Sequence, residues 1–94
     1  MNNNIVDVYL TQKQIEKTEE IANVLGIAIG VTLNSAIKYA VNKKAKIKNG
    51  VKGTEAVSVK ITEHTLFVLR SNGHEEHLNN VLTTGIDLLY RKLV

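Results

Sequence analysis

Val6, Val8 and Leu10 alternate with Asp7, Tyr9 and Thr11, and 51 positions later Val57, Val59 and Ile61 alternate with Ser58, Lys60 and Thr62. Period-two spacing with β-branched residues predicts two half-buried strands, each apolar on one face and polar on the other. After each strand the period lengthens. Between Thr11 and Leu25, the apolar Ile15, Ala22 and Leu25, with Ile21 alongside, share one side of a predicted helix that Thr11 caps and Gly26 stops. Leu33, Ala36, Ile37, Ala40 and Val41 then form a clear amphipathic stripe, predicted to open at Thr32 as its N-cap. It runs into Asn42-Lys43-Lys44, where cations suit the helix dipole. Leu78, Val81, Leu82, Gly85, Ile86 and Leu89 repeat that stripe near the end of the chain.

Two stretches fit no single period. Ile27 to Val31 is an apolar connector between two glycines, for which a packed turn is one reading. Leu66-Phe67-Val68-Leu69 is a continuous apolar run. Thr62 suits the cap of a short helix ending at Asn72-Gly73, yet the same residues fit the return strand of a hairpin turning at Glu63-His64. Repeat logic favours the helix for residues 63–71; local propensity favours the strand.

The repeat itself is short but specific. Thr32-Leu33-Asn34-Ser35-Ala36-Ile37 recurs 45 positions later as His77-Leu78-Asn79-Asn80-Val81-Leu82, each copy downstream of one of the strands. The chain therefore reads as one compact domain, 1–94, made of two units, 5–42 and 57–94, joined by a basic linker, 43–56. A repeat of this size is a supersecondary unit that cannot bury its apolar face alone. Each half is also near the size where a domain needs a partner, a metal or disulfides. The linker from Asn42 to Ala56 reaches ~50 Å when extended, enough to cross a small domain.

Composition narrows the function. With no cysteine there is no disulfide framework and no thiolate metal site. A hydrophobic content of 44% suits a folded protein. No apolar run approaches the ~20 residues of a membrane span, so no membrane partner and a cytoplasmic location are expected. The net charge of +3 permits an acidic partner, and Lys38, Lys43, Lys44, Lys46, Lys48, Lys52 and Lys60 crowd the middle of the chain. A solvated linker explains those lysines equally well. His74-Glu75-Glu76-His77 lacks the His-Glu-x-x-His spacing and further ligands, so no metal site is expected. There is no phosphate loop and no recognisable nucleophile–base pair; no enzyme and no cofactor are expected.

Strand, helix, glycine turn and helix within one short unit resembles the ribbon-helix-helix (Arc- and MetJ-like) family of DNA-binding repressors. The likeness is sharpest at Thr32-Leu33-Asn34-Ser35-Ala36-Ile37, which is similar to the Arc-like pattern Ser-Val-Asn-Ser-x-Ile at the start of that family's second helix. Two units in one polypeptide are similar in architecture to tandem regulators of some archaeal viruses. The resemblance implies a mostly α fold with a two-stranded antiparallel ribbon, a tandem β-α-α-linker-β-α-α arrangement closing as an intramolecular pseudo-dimer. It implies a transcriptional regulator, a repressor in the simplest case, whose ribbon enters the major groove of double-stranded DNA. Asp7, Tyr9, Thr11, Ser58, Lys60 and Thr62 would face the bases. Thr32, Leu33, Asn34 and Ser35, with His77, Leu78, Asn79 and Asn80, would form the helix starts that face phosphate. The basic linker, Lys43, Lys44, Lys46, Lys48 and Lys52, would add non-specific attraction.

The match to the family has gaps. No arginine lies on the predicted reading face, Asp7 repels phosphate, and Glu75 and Glu76 oppose an anion at the second helix start. Because the two strands differ, a ribbon built from both reads an asymmetric subsite, and an inverted repeat arises only if two chains associate on DNA. Two rivals stand beside this reading. One is a protein-binding module on the same fold, such as an antitoxin or anti-regulator. The other is an α+β domain, with residues 65–70 as a strand, that binds nucleic acid non-specifically through its linker.

Overall fold

The computed structural model describes residues 5–48 and 53–94. In chain order these form strand β1 (Ile5–Leu10), helices α1 (Gln12–Leu25) and α2 (Ile29–Asn42), strand β2 (Glu55–Lys60), helix α3 (Glu63–Ser71), a 3-10 turn (Glu75–His77) and helix α4 (Leu78–Leu93). The structure is mostly helical, with a two-stranded antiparallel sheet among the described residues. Among these residues no single helix is long and apolar enough to cross a membrane.

The register of the sheet carries the repeat into space. Ile5 faces Lys60, Val6 faces Val59, Asp7 faces Ser58, Val8 faces Val57, Tyr9 faces Ala56 and Leu10 faces Glu55. Asp7 and Ser58 are equivalent positions of the two alternating segments, so the pairing is two-fold symmetric about them. The valine pairs lie on the inner face. Val8, Leu10, Val59 and Ile61 are buried there against Ile21, Leu33, Ile37, Leu69, Leu82 and Ile86, in one core drawn from both halves of the chain.

The helices exchange partners as the strands do. α2 and α4 pack on each other, α1 packs chiefly on α4, and α3 packs on α2. Gly85 sets the depth of the α2–α4 contact: a Cβ there would lie 2.0 Å from the backbone oxygen of Ala36. Lys17 of α1 reaches Asp87 of α4 at 3.1 Å. Each half of the chain takes its strand partner and its largest helix contact from the other half.

Local chemistry explains the element ends. Thr11 caps α1 through a reciprocal box with Gln14, and Gly26, at φ 67°, ends that helix in a left-handed turn. Thr62 accepts from the backbone N–H of Thr65 and caps α3, so residues 63–71 are helical, as repeat logic favoured. Leu66 and Leu69 face the core while Phe67 points outward, 68% exposed. The strand alternative for residues 65–70 falls, and with it the α+β architecture that depended on it.

Two boundaries differ from the sequence expectation. α2 begins at Ile29, not after Thr32, because the left-handed Gly26 and extended Ala28 leave the backbone free to coil at once. The Thr32 hydroxyl turns back to donate to the Ala28 carbonyl instead of capping. β2 begins at Glu55, inside the expected linker. The linker also docks: the Lys48 N–H donates to the Thr84 hydroxyl, and Ile47 packs against the core.

Candidate nucleic-acid interface

Because β1 and β2 bury alternate residues, the remaining side chains share one outer face. Across it lie Ile5 with Lys60, Asp7 with Ser58, and Tyr9 with Ala56. The Ser58 hydroxyl donates to the Asp7 carboxylate at 2.8 Å, tying the two strands together at the centre of symmetry. Asp7, Ser58, Lys60, Ile5 and Ala56 are exposed, and Tyr9 is half-buried. Four of the six expected base-facing residues therefore occupy this face.

Thr11 and Thr62 do not belong to it. Each lies beyond the end of its strand with its hydroxyl engaged in a helix cap. Ile5 and Ala56 take the outer ends of the face instead. The alternation already contained both, since Ile5 and Ala56 continue the polar-face phase of their strands; their apolar side chains hid them.

A two-stranded ribbon leaves both of its long edges unpaired, and two asparagines from the helices close them. Asn34 donates to the Lys60 carbonyl at 2.9 Å and accepts from the Thr62 N–H at 3.0 Å. Asn79 accepts from the Tyr9 N–H at 2.7 Å and donates to the Tyr9 carbonyl at 3.0 Å. Each primary amide, carrying one donor group and one acceptor, stands in for the peptide of a missing neighbouring strand. Each also comes from the opposite half of the chain. The result is a ribbon whose height and tilt are set by the two helices beneath it.

That arrangement corrects the expected phosphate-facing residues in the first unit. Thr32, Leu33 and Asn34 are 0%, 1% and 5% exposed. Their side chains serve the helix, the core and the ribbon edge. The exposed first turn of α2 is Ile29-Gly30-Val31, and Ala28 supplies no side-chain cap to it. This turn opens on a cleft of ≈ 320 Å³ lined by Gly30, Val31, Ser35, Lys38, Lys60 and Thr62 among others. Lys60 thus borders both the ribbon face and the helix start.

In the second unit α4 begins at Leu78, with His77 at its N-cap and no side-chain cap bond. His77 is exposed, Leu78 packs against the core, Asn79 holds Tyr9, and the Asn80 carbonyl accepts from Thr83. The preceding 3-10 turn holds Glu75 and Glu76, and Arg70 pairs with Glu75 at 2.8 Å. Helix starts favour anions, but two carboxylates already occupy the approach to this one.

The linker lysines lie elsewhere. Lys43 and Lys44 follow the far end of α2, which at 14 residues places them about 20 Å from its first turn. Lys43 and Lys92 both sit over the ring of Tyr39, at 5.6 and 5.4 Å. Lys46 and Lys48 are exposed on the segment that runs beside α4, and Lys52 falls outside the described residues.

Comparison with protein-family models, curated proteins and solved structures finds no match to this chain. The functional reading therefore rests on the geometry above. Among the described residues, no cluster of three or more His, Asp or Glu side chains is placed to hold a metal ion.

Proposed function

We propose that this chain is a sequence-specific double-stranded DNA-binding regulator, acting as a repressor, and that its halves are two fused ribbon-helix-helix units closed on each other as a pseudo-dimer. The observation that carries the reading is the ribbon register, two-fold about Asp7 and Ser58, with each strand edge held by the asparagine of the opposite half. A pair of strands raised this way on four helices presents the exposed side chains of Asp7, Ser58 and Lys60 on its outer face. Two strands ~4.8 Å apart with their side chains fit a major groove ~12 Å wide. The bare first turn of α2, next to Lys38 and Lys60, lies at one end of the ribbon, where a flanking phosphate would stand.

The face is not two-fold in chemistry. Lys60 with Ile5 at one end, and Tyr9 with Ala56 at the other, present different groups to the groove. One chain therefore reads an asymmetric subsite, and two associated chains read it as an inverted repeat. Selection from random duplexes tests this. The expected result is a short asymmetric motif, bound with an affinity that falls steeply with salt. Failure to enrich any motif, together with salt-insensitive capture of a protein partner, would replace this reading with the protein-binding module.

A further inference from the structure

We infer that Asp7 is the central base-reading residue of the ribbon and that it selects a cytosine through the cytosine's N4 amino group. This rests on the DNA-binding reading above and adds the identity of one base.

Four observations converge on Asp7. It is exposed on the outer face, and it stands at the symmetry centre of the register, where a ribbon lying in the groove comes closest to the middle of its site. Its carboxylate is also oriented: the Ser58 hydroxyl donates to Oδ1 at 2.8 Å. Among the described residues no cation pairs with it.

An ionised carboxylate only accepts hydrogen bonds. With its hydroxyl hydrogen given to Asp7, Ser58 turns only lone pairs outward, so the middle of the ribbon offers acceptors and no donor. In the major groove, guanine presents N7 and O6, and thymine presents O4; all are acceptors and repel this centre. Two bases present donors. Adenine carries its amino group beside the acceptor N7, which a carboxylate also repels. Cytosine carries N4–H2 with no acceptor beside it on its own major-groove edge. Asp7 therefore matches cytosine. The Asp7 charge that counts against general phosphate attraction becomes the source of discrimination at one base pair.

Selection from random duplexes with the wild-type chain and with Asp7→Asn separates the outcomes. The wild type is expected to enrich a motif with one fixed C·G pair at its centre. Replacing that pair by any other should weaken binding about 5- to 150-fold. Asp7→Asn exchanges one acceptor for a donor, which suits adenine N6 and N7. It should move the central preference from cytosine to adenine and leave the flanking positions unchanged. Ser58→Ala should keep the cytosine but with weaker discrimination, because the carboxylate loses its anchor. Both substitutions are on the exposed face, and an unchanged circular dichroism spectrum confirms that the variants are folded. A specific motif without a fixed central cytosine, or the same motif from Asp7→Asn and wild type, overturns the Asp7 assignment and leaves the DNA reading standing. Enrichment of no motif by either protein overturns both.

Discussion

Removing the buried amide of Asn34 should cost more than removing its counterpart at Asn79, and the structure says by how much. Asn34→Ala leaves the Thr62 N–H and the Lys60 carbonyl without their partner, and it empties the volume of an amide that is 5% exposed. Each orphaned group costs about 1 kcal/mol, near the low end of the range because Lys60 and Thr62 lie at the surface where water enters. The lost packing adds about 1 kcal/mol. Alanine returns roughly 0.6 kcal/mol of helix propensity. The net expectation is a loss of about 2–3 kcal/mol.

Asn79→Ala removes two bonds to one residue, Tyr9, from a half-buried site. Two orphaned groups at about 1 kcal/mol each, less the roughly 0.6 kcal/mol of helix propensity that alanine returns and with little buried volume emptied, give an expected loss of about 1.5 kcal/mol. Urea unfolding followed by circular dichroism measures both, provided the dependence on denaturant is unchanged. Amide hydrogen exchange adds a local readout: Asn34→Ala should speed exchange of the Thr62 N–H, and Asn79→Ala that of Tyr9. If Asn34→Ala stays within about 0.5 kcal/mol of the wild type, or if the Thr62 amide keeps its protection, the asparagines do not hold the ribbon.

Gly85→Ala should lower the thermal midpoint despite the ~1 kcal/mol of helix propensity that alanine supplies, because its methyl meets the Ala36 backbone and forces α2 from α4. An overpacking cost of about 1–3 kcal/mol is expected, and a midpoint at or above the wild-type value would show that the helices separate freely. On DNA, Lys38→Ala should reduce the salt slope by about one, equally for all sequences, while Lys44→Ala leaves it unchanged. Equal effects from both would mean that the duplex contacts the far end of α2 as well as its first turn.

Local period and cap chemistry made much of this fold legible. The alternation at 6–10 and 57–61, the α2 and α4 stripes, and the Thr11 and Thr62 caps all reappear in the structure. What could not be read locally was decided at a distance. Asn34 and Asn79 look like the small polar residues of a helix start, and their partners lie 26 to 28 and 70 positions away. Nothing next to them in sequence signals that their amides close a strand edge. The start of α2 was hidden for a different reason. Ile27 to Val31 is apolar throughout and shows no period, while Thr32 offered a plausible cap that its hydroxyl does not make. Gly53 is a third case: a Cβ there would lie 1.9 Å from the Leu10 backbone. It looked like linker punctuation and is a crossing point against the end of β1.

The two halves agree where they must and differ where they can. Strand pairing, the exchange of helix partners and the asparagine at each edge are shared, because one common core demands them of both. The helix starts are under no such demand. In the first half, residues 29–32 are the opening turn of α2; the corresponding 74–77 include the 3-10 turn Glu75–His77, which carries two carboxylates. A phosphate approaching the α2 start meets free N–H groups near Lys38 and Lys60, whereas one approaching α4 meets Glu75 and Glu76 first. A duplicated unit that kept its symmetry would grip a duplex alike at both ends of the ribbon. On the proposed DNA-binding reading the chain would have a strong end and a weak end, and the same divergence that would make its outer face read an asymmetric site would also fix the direction of the ribbon along it.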